Sequence, residues 1–518
     1  MIVDHVLAAL HLAQLKDTRT TWQKGFDLSW YHRVQVTGKS LWRLGNLRYA
    51  TRDMGLATRT RIARETGKQT EGAQASTTMA LFPTHHQKMV LLDYDAPARS
   101  VAFVMGHNML DAYWDTNDHS PVRKDPAEGR NGATPRQDIS SRLHGPILLS
   151  LNHNFCQAWD QATGEGLWEQ RKVYEPEHQQ TRERIPNVFG KSGTPVMAQI
   201  LRTQPEHGET DIQRAYAQAV NNVTSYLYIE NQYFRYPKLA GQIKAAFERQ
   251  VRAGRPPDRY PIHLFAVTNA SDEGIGPGTL RTYELVSALG RADVMPGIAL
   301  EDQKDNLQRQ YEEACNAELR AHAKREAIAR SGDIGDTQAQ VQARQHRLVA
   351  AEAQMKAASD QQDALQKQMN DATRLQKELE RNPDAAARTV MPKSTPGLKV
   401  HICSLVADDW MPIYIHSKLM LIDDCFTTLG SANINVRSME ADSELNICHE
   451  MPSETTKLRK MLWNLHTRNR GGQDNVGKAF EEWDEIIKEN KTNRGKSLPP
   501  VASLVGFIYV GTVRKSLD

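Results

Sequence analysis

Two short stretches of this chain carry the same reactive side chains in the same order. "THHQKMVLLD" (84–93) places His86 two residues before Lys88 and ends on Asp93. "YIHSKLMLIDD" (414–424) places His416 two residues before Lys418, with Asp423 in the matching position. Small and amide residues follow each stretch: Gly106 and Asn108 after the first, Gly430, Ser431 and Asn433 after the second. Two imidazoles, two ammonium groups and two carboxamides suit a phosphodiester. Lysine and asparagine can meet the charge that develops on non-bridging oxygens. One imidazole can attack phosphorus while the other protonates the leaving alcohol. With the lysines supplying positive charge, the chemistry requires neither a metal nor a cofactor. A single H-x-K-x-x-x-x-D is weak, with roughly 0.05 chance matches expected in a chain of this composition. Two independent matches fall to about one in a thousand, which favours a shared site over coincidence.

These side chains need strands to position them. Residues two apart on a β-strand share a face, so each histidine points the same way as its lysine. Leu419–Ile422 and Met89–Leu92 are apolar runs that fit buried strands. A second strand in each half would return Asn108, or Ser431 and Asn433, to the same end. His85 falls one residue out of phase and faces away. Asp93 and Asp423 complete the candidate catalytic set in an orienting role, although an aspartate at a strand end is often an ordinary turn residue.

The duplicated pattern resembles the mark of the phospholipase D superfamily. "GHNMLDAYWDT" (106–116), "DISSRLHGPILLSLNHNFCQAWD" (138–160), "AQILRT" (198–203) and "AYAQAVNNVTSYLYIENQYF" (215–234) resemble its lipid-cleaving branch. The likeness covers roughly residues 80–290 and 395–450, and among bacterial members it is nearest to phospholipase effectors delivered by type VI secretion. The resemblance implies an α/β fold of two phospholipase D-like α/β/α lobes with pseudo-twofold symmetry and the site between them. It implies a phosphohistidine intermediate, with His86 as nucleophile and His416 as acid and then base; the residues alone do not order the two. It also implies a membrane phospholipid as substrate and a secretion-apparatus or immunity protein as partner. Nucleic acid is not expected as a partner, and the net charge of +3 agrees. Transphosphatidylation or phospholipid synthesis at the same site is an alternative, as is a non-catalytic scaffold.

Five cysteines without a C-x-x-C indicate neither a disulfide framework nor a zinc site. The N-terminal "MIVDHVLAALHLAQL" lacks the basic start of a signal peptide. The expected location is therefore cytoplasmic in the producer, with signal-peptide-independent export to a target cell's periplasm or membrane. "VASLVGFIYVGTV" (501–513) is too short for a typical spanning helix and reads as a terminal strand or buried segment.

Residues 1–190 are assigned to the first lobe, and 191–301 with 386–518 to the second. Residues 302–385 form an inserted antiparallel helical hairpin. There Val341, Leu348, Met355 and Met369 fall on one heptad position, and Ala351, Ala358, Leu365, Ala372 and Leu379 on another. A helix is expected over 140–162, with further helices at 209–222, 454–467 and 475–490. Glu230 and Asn231 end a strand close to the expected site. The first lobe looks incomplete: before His86 only "SWYHRVQV" (29–36) could be a further strand, which would leave an apolar sheet edge to be covered.

Overall fold

The structure is a computed structural model that describes residues 50, 52, 54–67, 83–120, 130, 132–184, 193–332, 335–382 and 390–515. The candidate strand at 29–36 and the N-terminal apolar stretch lie outside the described residues.

Fourteen strands organise the described chain. They are β1 (Met89–Leu92), β2 (Val101–Met105), β3 (Arg136–Gln137), β4 (Ser140–Leu143), β5 (Ala198–Gln204), β6 (Glu209–Thr210) and β7 (Tyr226–Asn231). Then follow β8 (Ile262–Val267), β9 (Leu398–Val406), β10 (Pro412–Ile415), β11 (Lys418–Ile422), β12 (Phe426–Gly430), β13 (Glu444–His449) and β14 (Leu504–Gly506). The smaller sheet has the order β1-β2-β4. The larger runs β3-β10-β9-β8-β7-β11-β12-β13-β5-β6, with β14 added to β9. The described residues thus form a mixed α/β structure.

The centre of the larger sheet is parallel from β7 through β8 to β9. Every residue of β7 and β8 is buried, as expected where helices cover both faces. Their side chains alternate between two cores. Leu227, Ile229, Leu264 and Ala266 join Tyr216, Leu239 and Phe247 on one face. Tyr226, Tyr228, Phe265 and Val267 join Trp463 and Trp483 on the other, together with Ala102 and Val104 of β2. The smaller sheet is therefore packed into the second core. The 501–513 segment supplies β14 and the buried Phe507 and Tyr509.

The expected helix over 140–162 starts later, at Leu148, and continues to Thr163. Ser140–Leu143 instead pairs with β2, and Gly145 adopts φ 85° just before Pro146. Proline fits the first turn of a helix but not its interior, so helix formation begins only beyond it. The closing helices span Pro452–Thr467 and Val476–Gly495.

Between β8 and β9 the chain forms two long helices, Pro296–Arg330 and Gln338–Arg381. Leu300, Leu307, Ala314, Ala321 and Ile328 are buried on the first, and Ala351, Ala358, Leu365, Ala372 and Leu379 on the second. Leu307, Ala314 and Leu365 share one apolar cluster, and Arg325 pairs with Glu352 at 3.0 Å. The other heptad position stays at the flank, and Val341 is exposed.

One buried carboxylate ties several elements together. Glu230, at the end of β7, accepts hydrogen bonds from Ser417, from Gln137 Nε2 at 3.0 Å and from Tyr228 at 2.6 Å. His466 Nε2 lies 2.8 Å away, on the helix Pro452–Thr467. Burial pushes the Glu230 carboxyl up, but the His466, Ser417 and Tyr228 hydrogen bonds and the His466 charge overturn this and leave it at about 2. A depressed carboxyl stabilises the fold above its unfolded value of about 4.3 and loses that contribution as pH falls toward about 2. Glu230→Gln is therefore expected to cost roughly 3 kcal/mol at pH 7 and to flatten the stability loss between those two values. Urea unfolding of both proteins at several pH values checks this. An unchanged acid-side slope would contradict it.

Candidate active site

The turn after β11 and the one after β1 do not reach the histidines. Asp93 and Asp423 both have positive φ, 49° and 53°. Asp423 accepts hydrogen bonds from Thr224 N, Ser225 N and Tyr226 N at 2.6–2.8 Å, pinning the start of β7. It follows the last residue of β11, at the opposite end of that strand from Lys418, about 16 Å of extended chain from the lysine and further from His416. Their inclusion in the catalytic set is thus corrected: both sit at the far end of their strands, and Asp423 holds a turn.

The histidines are held instead by carboxylates that the repeat does not contain. His86 Nδ1 lies 2.9 and 3.0 Å from the two carboxylate oxygens of Glu444. His416 Nδ1 lies 2.7 Å from Asp138 Oδ2. Each carboxylate is delivered by a segment following the other motif. Backbone hydrogen bonds fix this exchange. His86 N donates to Ser443 O at 2.9 Å, and His416 N donates to Gln137 O at 2.8 Å. Ser431 and Ser438 also donate to Glu444, and Ser431 Oγ accepts from Leu445 N at 2.9 Å. Ser431, expected to bind substrate, therefore supports Glu444.

Two glycines allow close approach around the site, Gly106 between the halves and Gly430 within the β12–β13 pair. A Cβ on Gly106 would stand 2.5 Å from Asp138 Oδ1, and one on Gly430 would stand 2.3 Å from Leu445 O. Each glycine closes a strand that carries its residues toward the site, β12 directly and β2 one residue beyond its end.

The lysines complete the group. Lys88 Nζ donates to His86 O at 2.9 Å. Lys418 Nζ donates to His416 O and, at 3.0 Å, to Gln232 Oε1. Burial pushes Lys418 down to about 7 against the pull of Asp138, and pushes Lys88 down to about 8 against Glu444 and Asp138. Burial likewise pushes the Asp138 carboxyl up to about 7, opposed by Lys418. His416 is held well below its ordinary value by burial and then by the two lysines. The His416–Asp138 pair is thus driven toward its less charged form. The two imidazoles also differ in access: the His86 side chain is 29% exposed and that of His416 is 3%.

Asn433 is buried, and its Oδ1 has no hydrogen-bond partner. Which end of the amide is oxygen is an assignment, so either a donor or an acceptor is available there. Asn108 is half-buried beyond β2. Asn231 does not enter the site; its Oδ1 accepts from Tyr233 N and Ile434 N, both at 3.1 Å. Glu230 lies behind it. His85 turns away from His86, with Nδ1 2.7 Å from Ser443 Oγ. Among the described residues no group of three or more His, Cys, Asp or Glu is arranged to hold a metal ion, and no helix is long and apolar enough to cross a membrane.

The "Phospholipase D" family model matches residues 52–236, and "Cardiolipin synthase, PLD-like domain" matches 370–466. The first match contains His86 and Lys88, the second His416 and Lys418. Phospholipase D alpha 1 of Oryza sativa subsp. japonica is 26% identical over 463 residues, covering 79% of this chain and 51% of that protein. Phospholipase D alpha 1 of Brassica oleracea var. capitata is 24% identical over 453 residues, covering 75% and 49%. This chain thus spans about half the length of these relatives. Among solved structures, phosphatidylserine synthase of Haemophilus influenzae Rd KW20 aligns with 11% identity over 82% of this chain and 72% of that one, at a TM-score of 0.33. The family matches in both halves, with the curated relatives, thus support a likeness to the phospholipase D superfamily.

Proposed function

We propose that this protein is a phospholipase D that cleaves membrane glycerophospholipids to phosphatidic acid and a free headgroup. The carrying observation is the pair of imidazoles, each fixed at Nδ1 by a buried carboxylate, beside two lysines. A carboxylate at Nδ1 leaves Nε2 as the working atom of each ring. His86 Nε2 attacks phosphorus, and the bond from phosphorus to the headgroup oxygen breaks. His416 Nε2 gives that oxygen its proton. His416 then takes a proton from water, whose oxygen displaces the imidazole and releases phosphatidic acid. The roles of His86 and His416 follow the superfamily resemblance. An arriving phosphodiester brings a negative charge that offsets the two ammonium groups and raises the proton affinity of His416. Lys88, Lys418, Asn108 and Asn433 meet the charge on the non-bridging oxygens.

A lipid surface as substrate is supported by the segment after Asn108. Met109, Leu110 and Trp114 are exposed by 73%, 57% and 56%, an apolar set beside the site. Delivery as an antibacterial effector is a further part of this reading, supported by the sequence resemblance alone. An alcohol in place of water would turn the same steps into transphosphatidylation.

Incubation with mixed phospholipids, followed by mass spectrometry, should show phosphatidic acid and released headgroup. His86→Asn and His416→Asn are each expected to lower turnover by about 10²–10⁴-fold or more, with the double variant little worse, because the two act as a unit. Near-normal turnover in either single variant would refute the two-histidine scheme. The pH profile of kcat/KM should fall on the alkaline side as the lysines lose their protons, near the values of about 7 and 8 at which burial sets them. Lys418→Arg, which stays charged, should move that limb upward; an unmoved limb would exclude Lys418 as its source. Activity on a soluble short-chain substrate is expected to survive exhaustive chelation, and loss restored by one specific ion would contradict the lysine-based account.

A further inference from the structure

Among the described residues, an arginine beside the site has no anionic partner. Arg136 lies on β3 directly opposite Tyr414 of β10. Two residues further along, Asp138 meets His416. The guanidinium carbon of Arg136 stands 4.2 Å from the Tyr414 ring centre and 5.0 Å from that of Tyr113. The Tyr113 ring packs edge-on against His416 at 4.8 Å, and the Tyr414 ring lies 6.2 Å from it. Arg136 is thus one aromatic ring away from His416. Its Nε is buried without a hydrogen-bond partner. Among the described residues, no side chain or carbonyl accepts from the guanidinium. Asp115 accepts instead from the Arg136 backbone N at 2.6 Å and faces His119 Nδ1 at 2.9 Å.

Buried donors left without acceptors are costly, and arginines in such places ordinarily face carboxylates. Stacking on two tyrosines fixes the plane of the group while leaving its edge free, the geometry that binds a carboxylate or phosphate in bidentate fashion. We propose that Arg136 selects the headgroup: it takes an anionic group, a carboxylate or a second phosphate, carried by the leaving alcohol. The proposal rests on the phosphodiesterase reading, in which His416 protonates that alcohol and so faces the headgroup. A quaternary ammonium headgroup would meet a like charge there.

Two measurements on the full chain separate this proposal from the reading it rests on. The first is kcat/KM in detergent micelles for phosphatidylserine, cardiolipin, phosphatidylglycerol and phosphatidylcholine, for the native protein and Arg136→Gln. The native protein should prefer phosphatidylserine or cardiolipin, with the stronger of the two telling carboxylate from second phosphate. Arg136→Gln should lower that preferred rate by about 10- to 100-fold and leave phosphatidylglycerol nearly unchanged. An equal loss on all four lipids would show that Arg136 only props the tyrosines, and would overturn the proposal. The second measurement is calorimetric binding of phosphoserine, glycerol 1,3-bisphosphate and phosphocholine. Tighter binding of phosphoserine or glycerol 1,3-bisphosphate, the two ligands with a second anionic group, abolished in Arg136→Gln, supports the proposal even if no phospholipid is cleaved, in which case the lipid reading alone fails. Equal affinities for all three ligands in both proteins overturn it.

Discussion

The architecture depends on an exchange of carboxylates. Each imidazole is oriented by an acid from the segment that follows the other motif: Glu444 for His86 and Asp138 for His416. Neither imidazole takes its carboxylate from its own motif. Strand β3 must therefore cross to the larger sheet and pair with β10, and the chain at Thr84–His86 must pair with Ser443. Gly106 is a glycine for the same reason, since a Cβ there would stand 2.5 Å from the exchanged Asp138 carboxylate, whereas Gly430 lets β12 lie close to Leu445 of β13.

Concentrating charge at this seam has electrostatic consequences. Lys418 and Asp138 are nearly buried, and burial moves both toward neutrality, the lysine down and the acid up. A substrate phosphate would restore the charged form of the lysine and hold the acid further toward its neutral form. Behind them Glu230 behaves oppositely. It is saturated with donors from Ser417, Gln137, Tyr228 and His466, which keep it ionised and rigid. One network is poised to titrate and the one behind it is locked.

The sequence exposes half of this arrangement. His86, Lys88, His416 and Lys418 are legible because a two-residue spacing on an apolar strand is a local signal. Glu444 and Asp138 are not, because their contacts join residues hundreds apart and nothing in their neighbours marks them as acids for a histidine. Both do lie within stretches of family likeness, Glu444 at the start of β13 and Asp138 between β3 and β4, which is the trace available. Asp93 and Asp423 mislead because they share the repeat yet face the far turn, where Asp423 caps the start of β7. Ser431, expected to bind substrate, has its hydroxyl committed to Glu444. Gln232, which accepts from Lys418 across the β7–β11 pairing, carried no signal at all. In the fold, the apolar runs of β7, β8 and β11 are plain in the sequence, whereas Ser-Ser-Arg-Leu of β4 has no alternation of its own and merges with the helix that follows.

The central claim is that two histidines act in turn on one phosphorus atom, the first by bonding to it. The stereochemical course of hydrolysis tests this most directly, using a phospholipid made chiral at phosphorus by isotopic oxygen. Two successive in-line displacements, one by imidazole and one by water, predict net retention of configuration. Net inversion would mean that water attacks directly, and would contradict the account.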